Sequence, residues 1–263
     1  MEATVKPFNT IKLLIIVALL STCQLLSLSH TAHAQKAAVK NIVLVHGAFA
    51  DASGWKAVYE ILTKKGYHVS MVQNPLTSLA ADVAATKSVL AQQDGPAILV
   101  GHSWGGTVIT QAGADPKVAA LVYVAAFLPD AGENTVKWVS AAPQAPEAGF
   151  TAPDQTGRVY FEPAKFHSGF SADLSKEQSD FMRDSQAPIV GQCFAEAVTV
   201  AAWKTKPSYG IVATEDKAIN PGTEREMYQR AKAKITEIKG SHVVFISQPQ
   251  AVAKVIMEAA DAS

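Results

Sequence analysis

From Asn41 onward the chain alternates short continuous apolar runs with longer stretches in which apolar residues recur every three or four positions. Runs rich in Val, Ile and Leu occupy 41–45, 67–72, 97–100, 118–124, 208–213 and 234–238. Continuous Val/Ile/Leu runs predict strands covered on both faces. Amphipathic stretches at 53–65, 78–93, 104–114, 221–232 and 245–260 predict helices between them. Strand and helix in alternation with short links imply an α/β fold: a mostly parallel central sheet of about six strands flanked by helices.

One segment breaks this rhythm. From 129 to about 190 the chain is rich in Pro, Gly and Ser, and Trp138, Phe150, Tyr160, Phe161, Phe166, Phe170 and Phe181 are scattered through weak helical patterns. An excursion of this length, inserted after the strand ending near Phe127, is expected to form a small cap over the carboxyl ends of the strands, where open α/β sheets bind ligands. The amino terminus differs again. Lys6 and Lys12 precede an apolar stretch, and Ala32-His33-Ala34 offers a small-residue cleavage site, so 1–34 reads as a signal peptide. Its strongly apolar part is shorter than the ~20 residues of a membrane span. The expected mature chain, 35–263, is then an exported, periplasmic or secreted single domain.

Composition narrows the possible functions. The 23 basic and 23 acidic side chains cancel, and no long run carries one sign, which argues against nucleic acid or, once the leader is cleaved, a membrane as partner. Cys193 is the single cysteine beyond the leader, so no internal disulfide is available; it reads as a small buried helical residue. No metal site is expected, because the chain has no H-E-x-x-H and the mature part no histidine pair at helical spacing. No cofactor is expected either: Gly101–Gly106 lacks the Lys and Ser/Thr of a phosphate loop.

The same glycine cluster carries the chemistry. Gly101-His102-Ser103-Trp104-Gly105 is a G-x-S-x-G signature lying between a predicted strand and a predicted helix, which marks Ser103 as a nucleophile lifted out of the sheet on a sharp turn. A serine hydroxyl needs a base. Among His46, His68, His102, His167 and His242, the last stands in a loop between the final strand and the final helix and is the best placed. His46 is expected to shape its own turn, His68 to be structural, and His167 to line the pocket or face solvent. Asp216, after the strand at 208–213, is the expected acid, with Glu215 and Asp130 as competitors. For the oxyanion hole, the Trp104 amide follows the nucleophile, and the second donor is expected from Ala48, with Phe49 as alternative. Phe49, Phe127, Trp138, Phe161, Phe166 and His167 are candidates for the substrate pocket.

Taken in order, His46-Gly47-Ala48-Phe49 with Gly54-Trp55, Gly101–Gly106, Phe127-Leu128-Pro129-Asp130, Thr214-Glu215-Asp216-Lys217 and Ser241-His242 resemble the landmarks of the α/β-hydrolase superfamily. They are most similar to the branch that holds plant hydroxynitrile lyases, methylesterases and bacterial esterases. The resemblance spans Asn41 to the last helix and implies a Ser-His-Asp esterase needing no cofactor and taking a small-molecule ester, with an acyl group held on Ser103. Perhydrolase (haloperoxidase), lactonase and amidase chemistry would use the same triad, and a non-catalytic ligand-binding protein is the contrasting class. The branch's lyases carry a lysine directly after the catalytic histidine; Val243 stands there, which disfavours lyase chemistry.

Overall fold

The computed structural model describes residues 1–4 and 39–263, so all but the first four residues of the expected signal peptide, and its cleavage site, lie outside the described residues. The central sheet holds six parallel strands in the order β2-β1-β3-β4-β7-β8. Their ranges are β1 Asn41–Val45, β2 His68–Val72, β3 Ala97–Ser103, β4 Val118–Ala126, β7 Ser208–Ala213 and β8 Lys234–Ile238. The inner strands are buried almost throughout, as unbroken Val/Ile/Leu runs require. The edge strands β2 and β8 are half exposed, and there His68 points to solvent rather than serving the core.

Helices follow the strands: α1 Lys56–Lys64, α2 Leu79–Ala91 and α3 Trp104–Ala112. Ser78 starts α2 by accepting the Ala81 N–H at 3.0 Å, and a 3₁₀ turn at Ala52–Trp55 leads into α1. Between β4 and β7 the chain leaves the sheet. It forms α4 Thr135–Val139, α5 Phe166–Phe170, α6 Lys176–Asp184 and an antiparallel ribbon of β5 Arg158–Val159 with β6 Ile189–Val190. The excursion runs past the expected end near 190, through 3₁₀ turns at Gly191–Ala195 and Ala202–Lys204. After β7 come α7 Pro221–Arg230 and, after β8, two helices where one was expected, α8 Val244–Ser247 and α9 Pro249–Asp261. Pro249 has no N–H to continue the first, so it starts a second. Among the described residues no helix is long and apolar enough to cross a membrane.

The chain moves outward from β1 to β2, then returns to the other side of β1 with β3, so the strand order reverses between β1 and β3. The crevice beyond their carboxyl ends is the expected ligand position in such a sheet. Val45 and Ser103 end these two strands.

Candidate active site

β3 is three residues longer than its apolar run because Gly101, His102 and Ser103 keep pairing with β4, opposite Tyr123, Val124 and Ala126. Ser103 ends the strand and precedes α3 with φ 53° and ψ −121°, a conformation costly for a residue with a Cβ. The turn is possible because its neighbours are glycines: a Cβ on Gly101 would stand 2.5 Å from the Gly105 carbonyl oxygen, and one on Gly105 2.6 Å from that of Val45. Trp104 is the first residue of α3, so its N–H has no acceptor within the helix. Its indole is buried, donates to Asp82 Oδ2 at 2.7 Å and sits edge-on to Phe194. Burial raises the pKa of Asp82, which also accepts the Leu76 N–H. Nothing in the sequence distinguished Asp82 from an ordinary first-turn acid of α2.

His242 and Asp216 meet although 26 residues separate them: His242 Nδ1 lies 2.6 Å from Asp216 Oδ2, and both side chains are buried. The other carboxylate oxygen accepts the Ala218 and Ile219 N–H groups at 2.7 and 2.9 Å. With a carboxylate on Nδ1 the proton sits there, leaving Nε2 as the acceptor. Phe170 and His102 flank the ring at centroid distances of 4.9 and 4.7 Å. Burial holds His102 neutral, and its Nε2–H donates to the His242 carbonyl oxygen at 3.0 Å. The loop before His242 is clamped by Asp173 from the excursion, which accepts from the Ser241 N–H, the Ser241 hydroxyl and the Ser247 hydroxyl. The competing acids lie elsewhere: Asp130 pairs with Lys204 at 2.6 Å and Glu215 with Lys239 at 3.5 Å.

The loop after β1 forms the opposite wall. His46 is buried; its Nδ1 donates to the Gly47 carbonyl oxygen at 2.8 Å and its Nε2 accepts the Asn74 N–H at 2.9 Å, so it braces the loop as expected. Phe49, at φ 63°, spends its N–H on the Ala187 carbonyl oxygen at 3.1 Å. That bond removes Phe49 as an oxyanion donor. The Ala48 N–H has no acceptor among the described residues.

Ser103, His242 and Ala48 line one cavity of about 170 Å³. Its walls are six phenylalanines (Phe49, Phe127, Phe150, Phe161, Phe170 and Phe194), with Val136, Val139, Ala218 and Ile219. Three expected pocket residues do not reach it. Trp138 is turned away because its indole N–H bonds Glu133 Oε2 at 2.9 Å under the Arg230 guanidinium. Phe166 is buried behind Phe161 and Phe170, and His167 lies on the surface with Nε2 3.2 Å from the Leu174 carbonyl oxygen. Phe194 was missed because it lies beyond the segment whose composition marked the excursion. Among the described residues no three His, Cys, Asp or Glu side chains could share a metal ion. Cys193 is fully buried, its thiol pushed up to about 12 chiefly by burial.

Known proteins are similar to this chain over most of its length. The norfluorocurarine synthase 2 of a Strychnos species is 26% identical over 260 residues, covering 86% of this chain and 97% of that protein. The pyrethroid hydrolase of Sphingobium wenxiniae is 27% identical, covering 85% of this chain and 89% of its own length. The crystal structure of polyneuridine aldehyde esterase superposes with a TM-score of 0.73 at 21% identity, over 84% of this chain and 98% of that one. The sequence profile described as "Alpha/beta hydrolase family" matches residues 42–255, from β1 into the last helix, and the chain therefore belongs to the alpha/beta hydrolase family.

Proposed function

We propose that the chain is a carboxylesterase-type serine hydrolase acting on small, mostly apolar esters. The observation that carries this reading is the buried Asp216–His242 pair opening, together with Ser103, onto one phenylalanine-lined cavity. Relatives named as hydrolases and esterases support the same class. Apart from Ser103 and His242 the walls carry no polar side chain, so nothing there recognises a charged substrate.

In this reading Ser103 Oγ attacks the ester carbonyl carbon while His242 Nε2 takes the hydroxyl proton. Asp216 holds the imidazole in the required tautomer and stabilises the imidazolium. The carbonyl oxygen becomes an oxyanion between the N–H groups of Ala48 and Trp104; one such donor is worth about 10²–10³ in rate. Collapse of the tetrahedral species breaks the bond to the alkoxy oxygen, which leaves as the alcohol with the proton from His242. Water, deprotonated by His242, then attacks the acyl-enzyme and releases the acid, restoring Ser103. Cleavage of cyanohydrins is disfavoured because Val243, buried and apolar, stands where the lyases carry lysine. The leader-like pattern at 1–34 supports a mature enzyme working outside the cytoplasm.

Turnover of p-nitrophenyl acetate and butyrate by the wild type and Ser103→Ala tests the reading. The substitution should lower kcat by several orders of magnitude and abolish labelling by a fluorophosphonate. Undiminished hydrolysis by Ser103→Ala would falsify it.

A further inference from the structure

We infer that Asp82, a positioning residue that does not itself line the cavity, limits the acyl length admitted there by holding the Trp104 indole as the fixed backing of Phe194. This deepens the esterase reading above and rests on it. Asp82 lies in the first turn of α2 and Trp104 opens α3, two helices packed side by side. Both side chains are fully buried. The Asp82 carboxyl group divides its oxygens between two donors: Oδ1 accepts the Leu76 N–H at 2.8 Å and Oδ2 the Trp104 indole N–H at 2.7 Å. Water does not reach these groups, so moving the indole would leave a buried donor and a buried acceptor unpaired.

Phe194 is placed differently. It is the wall residue supplied by the 3₁₀ turn Gly191–Ala195, and it is only half-buried, so the core does not enclose it. Two neighbouring rings support it. Phe150, at a centroid distance of 6.1 Å, is itself 40% exposed. The Trp104 indole, at 5.6 Å and 88°, is both enclosed and hydrogen-bonded, and an edge-to-face pair at that separation is favourable. Just past the turn, Glu196 returns to the same helix, its Oε2 accepting the N–H of Leu79, the first residue of α2, at 3.1 Å. The start of α2 thus grips this wall twice, through Glu196 at the end of the turn and through Asp82 and Trp104 at the ring. An acyl chain pressing on Phe194 meets a ring that cannot retreat unless the Asp82–Trp104 bond breaks.

Asp82→Asn sets an amide N–H against either the indole N–H or that of Leu76. The Leu76 backbone is pinned by its own carbonyl oxygen, which accepts the Val190 N–H at 2.9 Å, so the amide oxygen stays with Leu76 and the indole is released. The ratio of kcat/KM on p-nitrophenyl hexanoate to that on the acetate should then rise about tenfold, the lower end of what a methylene-sized change in an apolar pocket produces. That ratio compares two substrates on the same folded molecules, so a loss of stability alone does not move it. Trp104→Phe removes the indole N–H and should also raise the ratio; adding Asp82→Asn to it should raise it no further, because Asp82 acts through the indole. In nitrogen-15-labelled enzyme, the indole proton resonance missing from the Trp104→Phe spectrum should move upfield in Asp82→Asn as its acceptor is lost. A ratio unchanged in Asp82→Asn overturns the inference, and so does an equal rise in the Trp104→Phe background. If Asp82→Asn fails to fold, Trp104→Phe decides alone, and a wild-type ratio there overturns it. Fluorophosphonate labelling of Ser103 in the wild type keeps the two questions apart: its failure removes the esterase reading itself, whereas a labelled enzyme with an unmoved ratio removes only the role of Asp82.

Discussion

A methyl group added at Gly47 would sit 2.7 Å from Ser103 Cβ, 3.0 Å from the His102 carbonyl oxygen and 3.1 Å from His102 Nδ1. Carbon atoms in contact prefer about 3.5–4.0 Å, so Gly47→Ala needs roughly 1 Å of displacement. Ser103 cannot give way easily, being fixed between β3 and α3, and His102 is a buried ring tied to the His242 carbonyl. The strain therefore falls on Ser103 or on the loop carrying Ala48. A misplacement of about 1 Å can cost about 10²-fold in rate, equivalent to about 2.7 kcal/mol of barrier. Overpacking costs a further 1–3 kcal/mol or so of stability, and each kcal/mol lowers Tm by roughly 2–4 °C in a domain of this size. The assay is kcat/KM on p-nitrophenyl butyrate beside a thermal melt, with Gly95→Ala as control because its added methyl would meet only Asn41 Nδ2, at 3.6 Å. A folded Gly47→Ala enzyme retaining kcat/KM within about threefold of the wild type would refute the claim that this contact sets the geometry of the elbow.

Glu133 binds the Asp130 N–H, Lys137, the Trp138 indole and Arg230. Burial works against its charge, yet these four donors together hold its pKa at about 2. A depressed carboxyl stabilises the fold above its unfolded value and loses that contribution as pH falls through its folded value. The Tm advantage of wild type over Glu133→Gln, worth about 1–3 kcal/mol at neutral pH, should therefore shrink steadily in melts below pH ~4.5; an advantage constant down to pH ~3 contradicts the assignment. Phe194→Ala should enlarge the cavity next to Trp104 and move the preferred acyl chain from acetate and butyrate toward hexanoate; an unchanged chain-length profile would place Phe194 away from the acyl group. Cys193 should resist a thiol-reactive disulfide reagent in the native enzyme and react once in denaturant, whereas rapid native labelling would contradict its burial.

The inner sheet was readable because fully buried parallel strands leave unbroken Val/Ile/Leu runs, and the runs at 41–45 and 208–213 match β1 and β7 residue for residue; the range 234–238 also matches β8, but that edge strand is half exposed rather than covered on both faces. Where pairing rather than apolarity extended a strand, as at Gly101–Ser103, the pattern fell short by three residues. The candidates Ser103, Asp216 and His242 could be picked out because each stands at or just after the end of a strand, a position the alternation itself defines. The pocket was not. Its walls are chosen by how the excursion folds back, and a phenylalanine that packs behind the wall, such as Phe166, reads in one dimension like one that forms it, such as Phe170. Asp82 was invisible for a related reason: a carboxylate in the first turn of a helix is ordinarily a solvated favourable charge, and only tertiary burial sets it against the Trp104 indole.

Asp173 gives the excursion a second office. Lying outside the sheet, it grips the Ser241 N–H and the hydroxyls of Ser241 and Ser247, on either side of His242. A chimaera that grafts another family member's segment between β4 and β7 to change selectivity would also replace the anchor of the loop that carries His242. Such transplants should succeed only where the incoming segment brings an acceptor to the same spot, so this region of the chain is less modular than its position outside the sheet implies.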